Sequence, residues 1–132
     1  MRTAQKLFLL CLAFFALCGF SSKFDIKVLQ QVHESPSFEL SKSGLLHSDD
    51  GVEVNTLLVV QRDKSGRWDY KSPVWAFELT PGSAKPLSKV TYGKAPDGFT
   101  EKTKAMGLVR GVHYLVVGLS PGSGGSAEFV AQ

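Results

Sequence analysis

Residues 108–117, Leu-Val-Arg-Gly-Val-His-Tyr-Leu-Val-Val, leave this chain few choices. Gly111 supplies the backbone freedom that a tight turn needs. The residues after it alternate with a period of two, which places Tyr114 and Val116 on one face of a strand and His113, Leu115 and Val117 on the other. A turn that runs straight into a strand late in the chain must find earlier strands to pair with.

The preceding residues supply them. Phe24-Asp25-Ile26-Lys27-Val28 alternates apolar with charged, as a half-buried first strand does. Pro36 breaks the chain, and Phe38-Glu39-Leu40-Ser41 resumes the alternation. Residues 52–61 form a further strand, and Leu57-Leu58-Val59-Val60 is apolar on both faces, as in a strand covered on both sides. Residues 62–67 read as a hairpin loop with Gly66 at positive φ. Trp68 and Tyr70 then share one face of the returning strand until Pro73 interrupts it. Val74 to Thr80 places Trp75, Phe77 and Leu79 on a common inward face, and Val90 and Tyr92 share a face of the next strand. Residues 93–99 read as a long turn with Phe99 tucked back as a plug. The Gly/Ser-rich residues 120–126 read as a flexible connection before a closing strand with Phe129 inward.

The spacing Leu108-x-x-Gly111-x-x-Tyr114-x-Val116 resembles the tyrosine corner of Greek-key β-sandwiches, in which the Tyr bonds back to the preceding turn. With about seven short strands separated by Gly/Pro turns, the chain resembles an immunoglobulin-like or fibronectin-type-III-like sandwich. It departs from antibody domains at Val116, where those carry a disulfide cysteine. The run Pro86-Leu87, Val90, Tyr92-Gly93, Pro96, Gly98-Phe99 before the turn also resembles small bacterial periplasmic proteins and lipoproteins. The expected fold is therefore all-β, an antiparallel immunoglobulin-like sandwich. Trp75, Phe77, Gly111 and Tyr114 are its structural residues, and the chain holds one such domain over residues 23–132.

Residues 1–22 read as a signal peptide. Arg2 and Lys6 form a basic start, Leu7 to Leu17 carries no charge, and Cys18 to Ser22 is a small-residue exit. The apolar run is shorter than the roughly 20 residues a membrane span needs. Phe15-Ala16-Leu17-Cys18-Gly19 resembles a bacterial lipobox, with Cys18 the residue that would carry lipid, but Leu17 stands where that motif has Gly, Ala or Ser. The expectation is a periplasmic or secreted domain, with lipid anchoring to an envelope membrane as the alternative. A membrane is a partner only if Cys18 is lipidated. Removing Arg2 and Lys6 from fifteen basic residues leaves thirteen against twelve acidic ones, a balance with no general attraction to nucleic acid or acidic lipid.

The residues offer little for catalysis. His33 and His47 sit in polar loops, His113 faces away from Tyr114, and neither a Gly-x-Ser-x-Gly elbow nor a Cys-x-x-Cys pair occurs. Carboxylates at Asp49, Asp50, Glu53 and Asp63 could face a cation, but Arg62 and Lys64 oppose one. No cofactor or metal is expected. The expected function is a non-catalytic envelope domain that binds a protein or another envelope component through a sheet edge or loop end. Arg62, Lys64, Arg67, Trp68 and Tyr70 form its contact patch, with the competing expectation that Trp68 and Tyr70 extend the core row of Trp75 and Phe77, since large aromatics are mostly buried. A carbohydrate-binding or adhesin-like module using the same aromatics is the alternative, and a hydrolase ranks last.

Overall fold

The computed structural model describes residues 22–42, 51–83 and 85–132. Residues 1–21, which hold Cys18 and all of the expected signal peptide but Ser22, lie outside them, as do residues 43–50. The described residues form eight strands and no helix: β1 (Ser22–Leu29), β2 (Ser37–Lys42), β3 (Thr56–Gln61), β4 (Trp75–Leu79), β5 (Lys89–Thr91), β6 (Phe99–Thr103), β7 (His113–Ser120) and β8 (Ser123–Val130). They make one curled mixed sheet in the order β5-β2-β1-β8-β7-β3-β4-β6.

Every neighbouring pair is antiparallel except β1 and β8, which run parallel through Ser22↔Ser123 and Lys23↔Gly124. The expected all-antiparallel arrangement is corrected at this seam. After Lys23 the first strand leaves β8 and pairs with β2 instead, from Phe24↔Lys42 to Leu29↔Ser37. The seam also explains why the Gly/Ser-rich residues expected as a flexible loop are strand. The turn shrinks to Pro121 and Gly122, and Gly124 and Gly125 lie within β8. A Cβ on Gly125 would run into the Phe24 carbonyl oxygen and stand 2.7 Å from its ring. Glycine within a strand marks such a close approach.

A single core fills the curl. Phe38, Leu57, Val59, Trp75, Phe77 and Val116 are fully buried in it, with Tyr114 at 1% exposure. The rings of Phe38 on β2 and Phe129 on β8 are 5.6 Å apart, and Tyr114 stacks on Phe129 at 5.7 Å. Trp75 on β4 meets Tyr92, just past β5, at 5.2 Å. These contacts bring the two margins of the sheet face to face. Burying rings of roughly 150–250 Å² each at about 25 cal/mol per Å² supplies several kcal/mol apiece.

Val60 is also fully buried, although it follows inward Val59 and so faces the other side of β3. The strand is thus covered on both sides, as its unbroken apolar run requires. The eighth strand, β6, exceeds the expected count. Phe99 does pack back onto Phe77, at 5.0 Å, but it also opens a strand that pairs with β4. The remaining residues of that strand, Thr-Glu-Lys-Thr, carry no apolar alternation because β6 lies at the sheet margin and most of it is exposed.

Candidate functional site

The strand directions gather the chain's surface features at one end. β1, β3, β6 and β8 finish there, and β2, β4 and β7 begin there. Three connections cover this loop end: residues 30–36, 62–74 and 104–112.

Residues 62–67 form the expected hairpin tip, with Gly66 at φ 84°. The Asp63 carboxylate accepts hydrogen bonds from the Ser65 N–H at 2.8 Å, the Ser65 hydroxyl at 2.5 Å and the Arg67 N–H at 3.1 Å. The Ser65 hydroxyl, followed by the Arg67 N–H, holds its pKa below the ordinary carboxylate value. The Arg62 guanidinium lies 4.6 Å over the Trp68 ring and 3.6 Å from Glu128. His113 Nδ1 is 3.4 Å from the same Glu128 oxygen.

The expected contact patch is therefore only partly assembled. Arg62 and Trp68 stand together, and Lys64 and Arg67 are exposed on the tip. Trp68 and Tyr70 do not share a strand face. Trp68 makes a single bridge to Arg62, and the returning strand starts only at Trp75. Asp69 N–H and Val74 N–H still bond to the Gln61 and Val59 carbonyls, so only residues 70–73 leave the ladder, in the stretch where Pro73 has no N–H to give. Neither aromatic belongs to the core; Trp68 is half-buried and Tyr70 is 57% exposed.

Sequence reasoning missed several residues of this end. His113 and Glu128 join Arg62 through the β7–β8 pairing, a long-range relationship that no local pattern carries. Val32, Met106, Val109 and Val130 are exposed large apolar residues, and with Tyr70 they complete that class among the described residues. All five lie at the loop end. The odd feature of residues 104–112 in the sequence was an apolar pair, Leu108-Val109, inside a turn.

Between the loops lies a cleft of about 280 Å³, lined among others by Gln30, Pro36, Tyr92, Leu108 and Ala131. His33, at φ 69°, stands on its rim. The Tyr92 hydroxyl donates to the Met106 carbonyl at 2.6 Å, with the Val74 carbonyl at 3.3 Å. Burial, and then the neighbouring Tyr114, push its pKa up to about 12.

The opposite end holds a larger hollow of about 670 Å³, lined by Lys23, Lys42, Glu53, Pro86 and Pro121 among others. Among the described residues no three His, Cys, Asp or Glu side chains gather as a metal site would need. Comparison with protein-family models, with curated proteins and with solved structures finds no match to this chain.

Proposed function

We propose that the chain is an exported, non-catalytic binding domain of a bacterial cell envelope that presents its loop end to a protein or another envelope component. One observation carries the proposal: every exposed large apolar side chain among the described residues stands at that end. Exposed apolar groups collected on one surface mark interaction sites, whereas scattered ones need no explanation. Export is supported by the basic start, apolar run and small-residue exit of residues 1–22.

An immunoglobulin-like Greek-key sandwich is the finer fold we propose. The runs β5-β2-β1 and β8-β7-β3-β4 support it as two facing halves, with β6 added at a margin. So does the bond that Tyr114 makes back to its preceding turn. The carbohydrate-binding alternative has less behind it, because Arg62 already covers one face of the Trp68 ring that a sugar would stack on.

Photo-crosslinking in envelope fractions tests the proposal. A crosslinker at Tyr70 or Val109 of the full chain should capture envelope material, and one at Glu53 or Lys85, at the opposite end, should not. Equal capture from both ends overturns it.

A further inference from the structure

We propose that the loop end is a membrane-contacting surface, which seats on the headgroups of an anionic bilayer through the aliphatic side chains of Met106, Val109 and Val32 inside a surplus of Lys and Arg. This inference rests on the binding role proposed above, and names its partner as lipid. It is independent of any lipid on Cys18.

The apolar groups have the distribution that a lipid surface requires. Val32, Met106, Val109 and Val130 are 67%, 58%, 59% and 39% exposed, and they come from three separate chain segments that meet at one end. None of the four lines the cleft. Protein hot spots favour Trp, Tyr and Arg in closed pockets and disfavour Val. Val and Met on projecting loops instead suit a fluid apolar phase, and Tyr70 suits its headgroup boundary.

The loop backbone is already prepared for low polarity. The Met106 N–H donates to the Val74 carbonyl at 2.9 Å, and the Met106 carbonyl accepts the Tyr92 hydroxyl. The Val109 N–H donates to the Tyr114 hydroxyl at 2.8 Å. The Val109 carbonyl accepts from the Val112 N–H at 3.0 Å, and the Gly111 N–H donates to the Ala131 carbonyl at 2.8 Å. Both exposed residues of this loop therefore direct their peptide groups into the domain and their side chains outward. Contact of these two side chains with lipid then leaves their own peptide groups hydrogen-bonded, which lowers the cost of drying them.

Charge points the same way. Of the thirteen Lys and Arg and twelve Asp and Glu beyond Ser22, the three loops hold six and three. The other described residues hold seven and seven, so a nearly neutral domain carries its basic excess at this end. Adding Glu128, which faces Arg62, leaves six against four. Lys104 stands two residues before Met106, and Arg110 follows Val109. Cations beside a shallow apolar surface complement anionic headgroups and add affinity of about fivefold each.

Cosedimentation of the full chain with vesicles of phosphatidylglycerol and phosphatidylcholine, against phosphatidylcholine alone, tests the inference. Any affinity residing in residues 1–21 is common to all variants. The anionic vesicles should bind more tightly, and less so at high salt. Met106→Ser with Val109→Ser, and separately Lys104→Glu with Arg110→Glu, should each weaken that binding at least about tenfold with the unfolding midpoint unchanged. Lys85→Glu, at the other end, should leave it unchanged. Equal binding to both vesicle types, or loop variants that bind as the parent does, overturns the lipid surface. If the vesicle arm fails while crosslinks from Tyr70 or Val109 persist and are lost on protease treatment of the envelope, the partner is a protein and the binding role stands.

Discussion

The hydroxyl of Tyr114 accepts a hydrogen bond of 2.8 Å from the Val109 N–H, five residues upstream. It ties the first turn of β7 to the loop that carries Met106 and Val109. The Tyr114 ring is itself fixed in the core by its stacking on Phe129. The loop end is thereby built on a core residue rather than hung from the strand ends.

Tyr114→Phe keeps the ring and removes the acceptor, leaving the Val109 N–H without its partner. The expected loss is about 1–2 kcal/mol, the usual consequence of orphaning a part-buried donor. Urea unfolding measures it, and amide exchange at Val109 should speed up by more than exchange at core positions such as Val116. Unchanged exchange at Val109 would mean that the bond does not hold the loop.

Gly125 faces Phe24 across the one parallel seam of the sheet. Gly125→Ala forces a methyl group against backbone that cannot rotate away, and should destabilise the fold by about 2–3 kcal/mol or more. Gly107→Ala is the control, since no atom lies within 4 Å of its added Cβ and its φ is not positive. Denaturation midpoints that fall equally in both variants would contradict the close approach.

Alanine at Tyr70 should change stability by no more than about 0.5 kcal/mol, as for an exposed residue outside the core. Trp68→Ala loses the Arg62 stacking and some burial, and should cost about 1 kcal/mol. Both variants should fold, as circular dichroism and thermal melting would show. Unfolding on either change would make the aromatic a support of the structure instead of a surface for contact.

Tyr92 carries a pKa raised from 10.0 to about 12. Its neutral form is the one the fold favours, so its contribution to stability is complete below pH 10. That contribution is lost as the pH rises from about 10 through 12, because the unfolded chain ionises first. Tyrosinate absorbance should show a phase that titrates near pH 12, and Tyr92→Phe should remove that phase. A Tyr92→Phe protein with the same alkaline titration would place the late phase elsewhere.

Local pattern reached those residues whose own neighbours declare their state. Trp75 and Phe77 share their inward face because the strand alternates, and both are buried. Gly66 and Gly111 take positive φ in the turns where they were expected. Residues 100–103 gave no such sign, since a marginal strand buries too little to require apolar alternation. Gly125 read as part of a loop because the reason for it, Phe24, is about a hundred residues away.

The same division holds for the candidate site. Legible in the residues alone were an all-β chain, the turn into Tyr114, the tip at residues 62–67 and the apolar rows that make the core. Each of these follows from backbone preference or from side-chain periodicity within a few residues. The folded arrangement was needed to bring Val32, Tyr70, Met106, Val109 and Val130 to one end, and to make Arg62, Glu128 and His113 meet there. Those relationships depend on strand direction and register, which are set by what each strand buries against its neighbours across the whole chain.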